Sequence, residues 1–138
     1  MIKKILVLLD GSKNSFRGLD VAIVIAKKSY AAITGLYVTS LSSPTTDAQK
    51  EYIKKYLLKN ANKFMKKAKV RTKEKGILFY DKILYGQKGS KIVKFAHTNN
   101  FDLIVVGSRG MGSVKETLLG STSNYVLHKS NKPVLIVK

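Results

Sequence analysis

The chain has 138 residues, 44% of them hydrophobic, and no cysteine. That length suits one domain with a real core, expected over residues 1–138. The absence of cysteine excludes disulfides, thiolate chemistry and cysteine-built zinc sites, and a reducing compartment is the simplest home. Lysine and arginine total 26 against 8 for aspartate and glutamate, a net charge of +18, and such a field attracts polyanions without sequence preference. The two histidines, His97 and His128, are far apart and lack a metal-ligand spacing.

In chain order, Ile2 to Leu9 reads as a first strand, apolar without a period of two, as when both faces are buried. The run stops at Asp10. It is too short for a secretory signal of about 7–15 apolar residues or a membrane span of about 20, so a cytoplasmic protein without membrane insertion is expected. Asp10-Gly11-Ser12 forms a turn, and Asn14 or Ser15 caps a helix to about Lys28 with Leu19, Ala22, Ile23 and Ala26 on one face. Ala32 to Thr39 is a second strand and Ser40 to Thr46 a polar loop. Asp47 to about Lys75 is a long helix: Ile53, Leu57, Ala61, Phe64 and Ala68 recur at steps of three and four, and lysines fill the opposite face. Gly76 ends it. Ile77 to Tyr85, Leu103 to Val106 and Pro133 to Val137 read as further strands, with helices at Ser90 to about Thr98 and Ser121 to about Ser130 between them. Strands alternating with helices predict an α/β, Rossmann-like open parallel five-stranded sheet with helices on both faces.

The segment from Gly107 to Ser121 carries the chemistry. Gly107, Gly110 and Gly112 follow the fourth strand, and Gly120-Ser121 opens the last helix. Glycines let phosphate oxygens approach backbone N–H groups, and a helix N-terminus adds unpaired donors and partial positive charge. The segment lacks the Gly-Lys-Ser/Thr of a P-loop, and its glycine order differs from the dinucleotide fingerprint G-x-G-x-x-G. Turn glycines without a ligand are the bland alternative. Against it, the turns after strands one and four both lie at the C-terminal edge of such a sheet, where ligands bind, and Asp10 ends strand one.

These residues resemble the universal stress protein (UspA) family, in its ATP-binding subtype. The subtype's motif G-x2-G-x9-G-[S/T] is matched by Gly107, Gly110, Gly120 and Ser121. Lys3 to Val7 with Asp10-Gly11-Ser12, and Pro133 to Val137, are similar to the family's first and last strands, so the resemblance spans the chain. It implies sheet order 3-2-1-4-5, a homodimer through the C-terminal strand 133–137, and ATP across the C-terminal strand ends. AMP or another adenine nucleotide is an alternative ligand, with Mg or Mn accompanying the phosphates. By position, Leu8, Asp10 and Val38 would surround the adenosine. Gly107, Ser108, Arg109, Gly110, Met111, Gly112 and Ser113 would wrap ribose and phosphates, and Gly120, Ser121, Thr122 and Ser123 would hold the phosphates. Leu8 departs from the proline that some ATP-binding members carry, which leaves contact through its backbone or apolar surface. Val38 and Leu8 read equally well as core, and Asp10 as a local turn residue.

No Ser/His/Asp arrangement or close carboxylate pair marks a catalytic centre; Asp10 and Glu116 are the only nearby acids, so hydrolysis of ATP is expected to be slow at most. The functional reading is a nucleotide-binding regulatory protein of the stress response. Two others remain: a nucleotide-free dimeric scaffold, and a polyanion binder using the lysines between Lys50 and Lys75. That stretch is nearly all lysine, which disfavours a sequence-specific nucleic-acid reader and leaves weak non-specific attraction or a plain solvated face.

Overall fold

The computed structural model describes residues 1–40, 46–109 and 119–138. Five strands form one parallel sheet in the order β3-β2-β1-β4-β5. They are β1 (Lys4–Leu8), β2 (Ala32–Thr39), β3 (Phe79–Tyr85), β4 (Leu103–Gly107) and β5 (Val134–Val137). The helices between them are α1 (Lys13–Ser29), α2 (Asp47–Glu74), α3 (Lys88–Thr98) and α4 (Ser121–Lys129). The expected class and strand order are therefore what the chain adopts.

The central strands explain the lack of alternation. Ile5, Val7 and Val105 pack with Leu19, Ala22, Ala26, Met65 and Ala68 of α1 and α2 on one face. Leu6 and Ile104 pack with Ile92, Ala96 and Val126 of α3 and α4 on the other. Each strand residue is thus removed from water whichever way it points, and a continuous apolar run results.

Element ends differ from expectation for local reasons. The α1 cap is Ser12, whose Oγ accepts the Ser15 N–H at 3.1 Å, and not Asn14 or Ser15. Asp10 Oδ1 takes the Ser12 N–H at 2.9 Å, which turns the chain early enough for the helix to begin at Lys13. Helix α3 begins at Lys88, ahead of the expected Ser90, with Gln87 as its N-cap. Gly89 lies within its first turn because a Cβ there would come within 2.6 Å of Tyr125 Cγ on α4. Helix α2 stops before Gly76, which takes φ 72°. Pro133 lies outside β5, yet its carbonyl still accepts the Ile104 N–H at 2.9 Å.

Candidate nucleotide site

Strands β1, β2 and β4 end on one side of the sheet, and a cleft of about 370 Å3 opens there. Its size falls within the range of about 300–1,000 Å3 common for small-molecule pockets. Part of the lining is apolar: Leu8 and Leu9 come from the end of β1, Leu36 and Val38 from β2, Val106 from β4 and Ile92 from α3. The rest is polar, with Gly120, Ser121, Thr122 and Ser123 at the start of α4, Arg109 beyond β4, Lys88 at the start of α3, and Asp10 and Ser15. An apolar slot leading to a helix N-terminus suits a molecule with a flat ring at one end and an anion at the other.

The α4 terminus is prepared for an anion. Its N-cap is Gly120, and no side chain caps it among the described residues. Its first-turn N–H groups therefore lack the oxygen that a Ser, Thr or Asp cap would supply. Hydrogen bonds from the neighbouring strands fix its position. Gly120 N–H donates to the Ser108 carbonyl at 2.7 Å, Ser108 N–H to Val137 at 2.8 Å, and Ser123 Oγ to the Gly107 carbonyl at 2.6 Å.

Asn14 completes this scaffold from α1. Its Oδ1 accepts the Arg109 N–H at 2.9 Å and its Nδ2 donates to the Val137 carbonyl at 3.3 Å. One side chain thereby ties the exit of β4 to the end of β5. Gly107 is required for this approach, since a Cβ there would lie 2.9 Å from Asn14 Cγ and closer still to Oδ1.

Of the residues expected at the site, Leu8, Asp10, Val38, Gly107, Arg109, Gly120, Ser121, Thr122 and Ser123 line this one cleft. Ser108 does not. It is buried just past the end of β4, and its backbone joins α4 to β5. Gly110, Met111, Gly112 and Ser113, with Glu116, lie outside the described residues. Sequence reasoning missed Lys88, Ile92 and Leu36 as lining residues and Asn14 as a brace. Lys88 follows Gly86 at the C-terminal end of β3, and that position was the available signal.

Asp10 is the one carboxylate among the described lining residues. Among the described residues no group of three His, Asp or Glu could hold a metal. The donor set fits an ion carried in by phosphates better than an ion caged by protein, since Mg commonly uses one or two carboxylates and takes its remaining ligands from phosphate and water. No helix among the described residues is long and apolar enough to cross a membrane.

The universal stress protein family model matches residues 1–138. The chain belongs to this family. Universal stress protein YxiE of Bacillus subtilis (strain 168) is 34% identical over 148 residues, covering 100% of both chains. The solved structure of MJ0577, a universal stress protein of Methanocaldococcus jannaschii, superposes with a TM-score of 0.92 at 32% identity, over 100% of this chain and 96% of that one. A crystal structure of a universal stress protein in complex with cAMP superposes with a TM-score of 0.78 at 27% identity, over 99% of this chain and 97% of that one. In this universal stress protein, the cleft lies at the junction of β1, β2 and β4.

Proposed function

We propose that this universal stress protein binds an adenine nucleotide, ATP first among them, in the cleft at the C-terminal ends of β1, β2 and β4. The observation that carries the reading is the α4 N-terminus, uncapped by any described side chain and facing an apolar slot. In this reading the purine lies against Leu8, Val38 and Ile92. The phosphates meet the N–H groups and hydroxyls of Gly120 to Ser123, with Arg109 and Lys88 adding charge. A Mg or Mn ion travels with the phosphates and finds Asp10 as its protein carboxylate. A relative crystallised with cAMP supports an adenine nucleotide as the class of ligand.

The role is regulatory, in a cytoplasmic stress response, with the chain acting as a homodimer through β5. Turnover is slow at most, because Asp10 is the single carboxylate among the described lining residues and it already accepts the Ser12 N–H. Phosphate contacts would slow amide exchange across residues 107–120, and unchanged exchange with ATP would exclude those contacts. Equilibrium dialysis with ATP, AMP and cAMP tests the ligand directly. A Gly120→Val variant, whose side chain would stand at the α4 terminus, should weaken binding at least tenfold. Absence of binding by all three nucleotides would favour the nucleotide-free scaffold.

A further inference from the structure

We infer that the exposed face of α2 binds single-stranded nucleic acid, independently of the nucleotide cleft. The helix has 28 residues, about 42 Å at 1.5 Å per residue. Its buried residues, Ala61, Met65, Ala68 and Thr72, all lie in the second half. From residue 47 to 60 none is fully buried; Ile53, Lys54 and Leu57 are half-buried, with Lys54 Nζ 5.2 Å from the Tyr85 ring of β3, and the rest of that half is exposed. Between Glu51 and Glu74 the helix carries eight lysines, one arginine and no carboxylate. Arg71 pairs with Asp20 at 3.0 Å, the one ion pair among the described residues. None of these lysines is within ion-pair distance of a described carboxylate, and Glu51, one turn before Lys55, is the acidic residue nearest the row in sequence.

The arrangement of that charge selects the partner. Lys55, Lys59, Lys63 and Lys67 are exposed and recur every four residues, about 6 Å apart along the axis. That is near the rise of every second phosphate on a strand advancing about 3.4 Å per phosphate. At the head of the row, Tyr52 and Tyr56 sit one turn apart and are 74% and 61% exposed. Exposed rings beside a line of cations form a stacking platform for unpaired bases. A duplex keeps its bases stacked inside and offers the rings nothing. A membrane-surface helix needs a free apolar face opposite its charges along its length, whereas in α2 that face is buried over Ala61, Met65 and Ala68. A second copy would bring like charges together.

Fluorescence anisotropy of a short labelled oligonucleotide with the full chain, at about 50 to about 200 mM salt, tests this. The plot of log K against log salt should fall with a slope near −3, at about −0.7 per phosphate contact for four lysines. Glutamine at Lys55, Lys59, Lys63 and Lys67 together should weaken binding at least tenfold and flatten that slope. Tyr52→Ala combined with Tyr56→Ala should weaken single-strand binding by about fivefold or more and leave duplex binding unchanged. Circular dichroism of both variants should match the parent. The inference is overturned if affinity is insensitive to salt, if neither variant weakens binding, or if duplex binds as tightly as single strand. It is overturned equally if only anionic vesicles or polyglutamate bind, or if saturating ATP displaces the oligonucleotide, which would place the oligonucleotide in the cleft.

Discussion

Asn14 joins the ends of two strands from a helix that lies across them, and its removal should be felt at the cleft. Asn14→Ala leaves the Arg109 N–H and the Val137 carbonyl without their partner. A loss of about 1–2 kcal/mol in unfolding free energy is expected, on the scale of lost hydrogen bonds to part-buried groups, with nucleotide affinity reduced because Arg109 is no longer held at the rim. Gly107→Ala should reproduce both effects by pushing the same side chain aside. Urea denaturation and nucleotide titration of the two variants check this, and unchanged affinity in both would show that the brace does not position the site. Ser123→Ala should cost about 1–3 kcal/mol, since it strands the Gly107 carbonyl inside the protein. At this scale the motif residues were legible because glycine spacing is a backbone requirement written in the sequence. Asn14 was not, because its partners are 95 and 123 positions away and its local context suggested a helix cap.

The two halves of α2 should behave as different materials. In the second half, Ala61 and Ala68 are fully buried against the sheet. Ala68→Leu there should cost about 1–3 kcal/mol by overpacking, whereas Tyr52→Ala in the first half should stay within about 0.5 kcal/mol. Thermal melts of the pair decide the point. The repeating apolar positions from Ile53 to Ala68 predicted one long helix correctly, but periodicity does not tell which turns meet a neighbour. That depends on where β2 and α1 end. The opposite end of the sheet is tied by Asp102, which accepts the Lys3 and Lys4 N–H groups at 2.8 and 2.9 Å. Those backbone donors, reinforced by the charges of the N-terminus and Lys132, hold its carboxyl below the ordinary carboxylate range. The folded state therefore favours the ionised form. Its contribution is complete well above pH of about 3.9 and is lost as the pH falls through the lower folded value. Asp102→Ala should lower Tm near neutral pH, and the difference from the parent should shrink on acidification. A difference independent of pH would overturn this.

At the scale of the whole molecule, β5 forms one edge of the sheet. β5 pairs with β4 on one side, and Val134 to Val137 are each half-buried. An apolar edge of this kind is a liability unless something covers it, and pairing across a two-fold axis would do so. The carbonyls of Pro133 and Val137 face β4, so the alternate residues Val134 and Ile136 present their backbone groups to the outside. Ile136→Pro should therefore remove an outward N–H while sparing the ladder to β4, and should convert a dimer to a monomer in light scattering. A monomeric parent at micromolar concentration would dismiss the dimer altogether.

The sequence by itself determined the α/β alternation, the doubly buried central strands and the glycine spacing of the loop after β4. These follow from hydrophobic period, length and backbone geometry, all of which are local properties of the chain. The tertiary structure alone decided that Asn14 braces the exit of β4, that Lys88 reaches the cleft, that Ser108 is buried outside its lining, and that the fully buried residues of α2 all fall in its second half. Each of these depends on which distant segments meet, and packing sets that only once the sheet has formed.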